Sequence, residues 1–349
     1  MFRFNYFVFT LVVFLGLFFF KTTIFSQSLT GIHTIIGIDH YPIKKKWLDL
    51  IKDYDISGVI FVTSAYSNQN NVKSSIEKIN AINPEKKYLF CIDQEGGRVN
   101  RIKFNNFNLK SASFYNKKDS HFIAEQYYMN AKLLSEVGIN VNFAPVVDVN
   151  RQNKNKVIGD RSYSSDPFEV KKNAQIMIDQ QNKFNIISVI KHFPGHGQTV
   201  EDSHYKLPIH SDTSSLEAYD IYPFYELINQ GVKAVMVSHV MYPSLDSRYP
   251  ASLSSKVVSD LLINKLNFKG LVFSDDINMG AIKESYSLKD AWKKSVSAGV
   301  DQVIMISSYD NTKQVFQDLN KLIYQNKNLY DILLNNSHQI LSFKQNHLN

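Results

Sequence analysis

The stretch Lys191-His192-Phe193-Pro194-Gly195-His196-Gly197, followed closely by Asp202-Ser203-His204, holds the residues best suited to chemistry. It joins a lysine and three histidines to an aspartate two positions before the last of them. Gly195 and Gly197 let the backbone turn sharply and approach a ligand. A polar cluster on a loop launched from a buried strand is how many active sites are built. His192, His196 and His204 also raise the question of zinc. No cysteine or carboxylate lies at a familiar ligand spacing, so no metal and no cofactor are expected. Taken alone, Asp202-Ser203-His204 reads equally well as a polar surface turn.

The elements around this stretch decide between those readings. Ile186-Ile187-Ser188-Val189-Ile190 is an apolar run that reads as a buried strand launching the loop. Similar runs recur at Thr34–Ile38, Val59–Thr63, Tyr88–Ile92, Val141–Val147, Ala234–Val237, Leu271–Phe273 and Gln302–Ile306. Helical stretches separate them, among them Ile43–Tyr54, Ser74–Ile82, Ser120–Val137, Pro167–Phe184, Ser214–Asn229, Ser254–Leu266 and Ala291–Ala298. Asp166-Pro167 supplies a cap and a first-turn proline, and Gly138 a helix stop.

Strands alternating with helices predict an α/β fold with a parallel sheet, and eight strands predict a single (β/α)8 TIM-type barrel. A doubly wound open sheet is the competing architecture. The barrel explains why strands three to seven end in Asp93, Asp148, Lys191-His192, His239 and Asp275: all such ends meet at one mouth. Carboxylates, a lysine and histidines there suit acid–base work on a neutral polar substrate. Gly96-Gly97 lacks the spacing of a dinucleotide-binding loop.

The chain has 349 residues and a formal net charge of +7, with the basic residues scattered. Lys44-Lys45-Lys46, the densest run, reads as a solvated helix face, and no nucleic-acid motif is present. Residues 4–20 are almost unbroken apolar, between Arg3 and Lys21. This predicts a leader over 1–26, either a signal peptide or an N-terminal membrane anchor, ahead of a catalytic barrel over 30–349. The expected location is exported, periplasmic or secreted, or held at a membrane through residues 4–20. The single cysteine, Cys91, has no internal partner for a disulfide.

Four ordered motifs carry a family resemblance: Ile92-Asp93-Gln94-Glu95-Gly96-Gly97-Arg98-Val99-Asn100-Arg101; Gly159-Asp160-Arg161-Ser162-Tyr163; Lys191 to Gly197 with Asp202-Ser203-His204; and Ser274-Asp275-Asp276-Ile277-Asn278-Met279. Over about residues 35 to 310 the chain resembles glycoside hydrolase family 3, and within it the single-domain β-N-acetylglucosaminidases of the NagZ type. The resemblance implies a retaining enzyme that removes terminal β-linked GlcNAc from peptidoglycan-derived sugars. Asp275 would be the nucleophile, and Asp202 and His204 the acid/base dyad. Asp93, Arg101, Arg161, Lys191 and His192 would bind the sugar. Asp276 would face away from Asp275 in a strand.

Asp148, His196 and His239 stand between scaffold and support of the site. Glu95 and Arg98 are expected to brace the loop as an ion pair. Two rivals remain: a phosphorylase of the same family, since a histidine acid/base does not repel phosphate, and a non-catalytic sugar-binding barrel. The carbohydrate substrate is the expected partner, and nucleic acid is not.

Overall fold

The computed structural model describes residues 29–104, 107–152, 155–199, 207–210 and 215–348. The leader over 1–26 and the pair Asp202 and His204 lie outside the described residues. Among the described residues, ten strands follow in chain order: β1 Thr34–Ile38, β2 Gly58–Phe61, β3 Leu89–Ile92, β4 Gln94–Gly96, β5 Val99–Asn100, β6 Val141–Asn142, β7 Ile187–Phe193, β8 Ala234–Val237, β9 Leu271–Ser274 and β10 Val303–Met305. Eight form one parallel sheet in the order β10-β1-β2-β3-β6-β7-β8-β9. The sheet comes round on itself. Phe273 bridges to Gln302, Ser274 N–H donates to Gln302 O at 3.0 Å, and Ile304 N–H donates to the Ser274 hydroxyl at 3.1 Å. The fold is the (β/α)8 barrel, not the open sheet.

Period-two alternation sorts each strand into an inward and an outward set. Leu89, Cys91, Ile187, Val189, Ala234, Met236, Leu271 and Phe273 belong to one buried interior cluster. Phe143 and Phe273 meet edge to face across it, with ring centres 5.4 Å apart. Truncating such a ring to alanine typically costs about 3–5 kcal/mol, because the surrounding barrel cannot collapse around the gap. Ile340 and Phe343 of the terminal helix Lys327–His347 join the same cluster. Continuing each inward series two residues past the apolar layer reaches Asp93, Lys191 and Asp275. The core register thus delivers the polar groups to the mouth.

Helix starts follow local chemistry. Asp166 accepts from Phe168 N–H at 2.9 Å and Pro167 opens the helix Pro167–Asn182, as the sequence predicts. Gly138 takes φ 89° just past the helix Ser120–Glu136. The helix expected from Ser74 begins earlier, at Gln69, because Asn68 caps it through Asn70 N–H.

Two strands differ from expectation in ways that matter for the mouth. The fourth barrel strand stops at Asn142 rather than Val147, with only an isolated bridge from Val146 to Lys191 beyond it. Pro145 has no N–H for a ladder, and Ala144 N–H turns back to Asn142 O. The fifth runs on to Phe193 instead of ending at Ile190.

Candidate active site

The end of β7 sets the site. Ile190 pairs with Val235 and Phe193 with Val237, so three steps on β7 match two on β8. The extra residue is a bulge, which breaks alternation and lets the consecutive Lys191 and His192 both face the mouth. Gly195 and Gly197 then allow close approach, but to the protein itself rather than to a ligand. A Cβ on Gly197 would lie 2.0 Å from Val149 O, and one on Gly195, at φ 135°, 2.6 Å from the Asp220 Cβ.

The strand β3 leads into the small antiparallel hairpin β4–β5. Asn142 holds its root, accepting from Gln94 N–H at 2.9 Å and donating to Gln94 O at 3.1 Å. The hairpin carries Glu95, Val99 and Arg101 over the barrel mouth.

One cavity is lined by Asp93, Arg101, Arg161, Lys191, His192 and Asp275. These are the residues to which the family resemblance assigns sugar binding and the nucleophile's role, and they come from four separate motifs. Glu95, His196 and the apolar side chains of Val99, Val157, Met236 and Met279 complete the lining.

Glu95 is a site residue that the sequence reading places wrongly. It pairs not with Arg98 but with Arg161, as a two-pronged contact at 2.8 and 2.9 Å, and with Lys191 at 2.6 Å. Arg98 turns outward to Asp160 at 3.0 Å and donates to the carbonyls of Lys156 and Ile158. Sequence proximity suggested the wrong partner, since a hairpin edge places Glu95 and Arg98 on different sides. The only available signal was the Asp93-x-Glu95 spacing on one face.

Lys191 Nζ also donates to Asp93 at 2.7 Å, and Arg101 stands 3.7 Å from the other Asp93 oxygen. Burial works against the charges of Glu95, Arg161 and Lys191, and the opposite charges outweigh it. Arg161 and Lys191 hold the Glu95 carboxyl well below the usual range. Asp93 and Glu95 raise the lysine, and Glu95 raises the arginine. All three stay charged.

Behind this layer sits Asp148, completely buried. It accepts from His192 Nδ1 at 2.6 Å and from the backbone N–H groups of His192 and His196 at 3.2 and 2.7 Å. Although burial opposes its charge, His192 and His196 keep its carboxyl below the usual range. His196 lines the cavity and meets the Thr199 hydroxyl at 2.7 Å. Burial, with His192 nearby, lowers His196 to about 4, so this ring is neutral at pH 7.

Asp275 closes the inward series of β9. Burial alone would raise its pKa, but the imidazoles of His239 and His192, with the Asp276 N–H at 2.8 Å, keep the carboxyl below its ordinary value. A carboxylate aimed into the cavity and ionised at neutral pH is the form a nucleophile requires. Asp276 is otherwise engaged, accepting from Asn278 N–H at 3.1 Å and Ile306 N–H at 2.9 Å. His239 donates to Asp276 O at 2.9 Å and meets Ser252 at 2.6 Å, which makes it a brace for the segment after β9. Among the described residues, no group of three or more His, Cys, Asp or Glu side chains is placed to hold a metal ion.

Three comparisons bear on this arrangement. A family model described as the glycosyl hydrolase family 3 N terminal domain matches residues 31–339. The chain is 31% identical over 293 residues to a beta-hexosaminidase of Haemophilus influenzae, covering 82% of each. It is 32% identical over 279 residues to Beta-hexosaminidase A of Pseudoalteromonas piscicida, covering 74% of this chain and 47% of that protein. The barrel is similar to a glycoside hydrolase family 3 beta-N-acetylglucosaminidase from a Paenibacillus species, with a TM-score of 0.84 and 28% identity, over 92% of this chain and 62% of that one. The chain therefore spans about half of one relative and under two thirds of the solved structure.

Proposed function

The chain belongs to glycosyl hydrolase family 3, and from that premise we propose that it is a retaining exo-β-N-acetylglucosaminidase. Its substrate is a terminal, non-reducing β-linked GlcNAc, carried on peptidoglycan-derived sugars. The observation that carries the reading is an ionised Asp275 facing the same cavity as Asp93, Arg101, Arg161, Lys191 and His192. The relatives named for hexosamine cleavage support the choice of sugar.

An Asp275 oxygen attacks the anomeric carbon as the bond to the leaving oxygen breaks, and His204 gives that oxygen its proton. The glycosyl-aspartate is then opened by water, which passes a proton back to His204 and releases Asp275. Asp202 fixes the imidazole and stabilises its charged form. Asp93 accepts from sugar hydroxyls, while Lys191, Arg101 and Arg161 donate to hydroxyl or carbonyl oxygens. His192 lines the cavity with Nδ1 committed to Asp148 and Nε2 against the Arg161 guanidinium, so it shapes the sugar site together with that arginine.

The deciding assay compares nitrophenyl glycosides of GlcNAc and glucose, with and without phosphate. Release of free GlcNAc at a rate indifferent to phosphate is expected. Formation of GlcNAc 1-phosphate would make it a phosphorylase, and absence of any turnover would leave a sugar-binding barrel. The apolar residues 4–20 support export or membrane attachment. Cell fractionation checks this: recovery of the whole chain, Met1 intact, as freely soluble cytoplasmic protein rules it out.

A further inference from the structure

The segment that brings Arg161 to the catalytic cavity serves a second one. Val157 and Arg161 line the first, while Ser164 and Ser165 join Ser113, Asn116, Asn150 and Arg151 around an open groove of about 510 Å³. Its floor is tied down from below, with Asn150 N–H donating to Ser164 O at 3.2 Å and the Ser162 hydroxyl to Asp148 O at 2.7 Å. Hydroxyls and amides dominate the lining. Asn116 and Asn150 each hold a buried side-chain oxygen with no hydrogen-bond partner among the described residues, so the open hydroxyls of Ser164 and Ser165 are the groups the groove offers.

The one charged side chain in the lining is already compensated. Arg151 donates to the Ser215 hydroxyl at 2.6 Å and stands 3.5 Å from Asp220. Its guanidinium lies 4.2 Å over the ring of Tyr219, which stays 41% exposed. Tyr222, three residues on, packs on Phe168, with ring centres 4.8 Å apart. Phe168 is 64% exposed. Through Arg151 the polar groove adjoins the partly exposed Tyr219.

Phosphate ligands need uncompensated cations and lipid tails need an apolar trough; this groove supplies neither. A pyranose needs both of the things it does supply. Its hydroxyl edge exchanges hydrogen bonds with amides and hydroxyls, and its C–H face lies on an aromatic ring. We propose that the groove is a second carbohydrate-binding site, which stacks a sugar unit of a glycan on the exposed part of Tyr219 and hydrogen-bonds it to Ser164 and Ser165. The catalytic cavity uses none of these residues. The site extends the glycosidase reading by giving the enzyme a hold on a longer glycan, but its binding step needs no turnover.

The test uses a β-1,4-linked GlcNAc tetramer and the whole chain made inert by Asp275→Ala. Calorimetry should resolve two binding events, the second of which disappears when Tyr219→Ala or Ser165→Arg is added. In the active protein, the same two changes should raise KM for the tetramer about 2–10-fold, the worth of one stacking contact. They should leave kcat and KM on nitrophenyl GlcNAc within about twofold. Ser165→Arg fills the groove without touching Tyr219, so it decides the matter if Tyr219→Ala fails to fold. A single, unchanged binding event in all three inert proteins overturns the proposal, as does an equal loss on short and long substrates. So does dimerisation through Tyr219, seen by sedimentation, with no second sugar event. A wild-type chain that cleaves no glycoside refutes the glycosidase reading instead, and the calorimetry still judges the groove.

Discussion

Asp148 Oδ2 accepts the Nδ1 proton of His192 across 2.6 Å, and the other oxygen of the same carboxylate receives the backbone N–H groups of His192 itself and of His196 in the loop that follows. A carboxylate only accepts, so Nδ1 carries hydrogen. The Arg161 guanidinium 3.3 Å from Nε2 only donates, so Nε2 acts there as acceptor. One buried charge thereby sets a tautomer, a ring orientation and a loop path together. Asp148→Asn should lower kcat/KM about 10–100-fold, the usual worth of an unsatisfied buried group. Nitrogen-resolved NMR of His192 should report a changed tautomer. An unaltered His192 spectrum with near-normal activity contradicts this role.

Asp275→Ala should reduce turnover by at least about 10⁴-fold, as loss of a nucleophile does. A slow fluorinated GlcNAc donor should label Asp275 in the wild-type protein. Mass spectrometry placing the label on Asp276 would refute the assignment, because Asp276 is spent on Asn278 and Ile306.

Glu95→Gln leaves Arg161 and Lys191 short of their shared counter-charge. Breaking a buried pair in this way typically costs about 3–5 kcal/mol. The Glu95 carboxyl is depressed in the fold, so its contribution is complete above the unfolded value near 4.3 and fades as pH falls below it. Urea midpoints at neutral pH should therefore drop in the variant and converge with wild type in strong acid. Equal midpoints at pH 7 would show that the cluster contributes no stability.

His196, lowered to about 4, favours its neutral form in the fold. The unfolded chain takes up this proton near pH 6.5 and the native chain resists it. Stability from this group is full above about pH 6.5 and falls as pH drops toward 4, by roughly 3 kcal/mol across the window. His196→Gln should flatten that part of the stability–pH curve. A variant with the same slope as wild type shows that another group is responsible.

His204→Ala should harm a natural disaccharide far more than a dinitrophenyl glycoside, because only the sugar alkoxide needs a proton to depart. Asp202→Asn should give the same pattern more weakly. A uniform loss on every leaving group, with the dependence appearing in Asp148→Ala instead, would move the proton donor elsewhere.

The alternation of apolar runs with helical stretches was enough to predict a parallel α/β fold, since period-two burial and helix caps are local properties of the chain, and the polar strand ends favoured the barrel over the open sheet. The same local signals located Asp93, Lys191 and Asp275 at strand ends, and the order of four motifs connected them to one cavity. Tertiary structure alone decided which charges meet. Glu95 lies three residues from Arg98 and far in sequence from Arg161 and Lys191, yet it binds the distant pair. A hairpin edge and a strand bulge are set by register between strands, and register is not written in either strand alone. The roles of Asp148 and His239 have the same origin. Nothing local distinguishes a strand-end carboxylate that faces the cavity from one that sits behind it, because depth in the barrel is a property of the closed sheet.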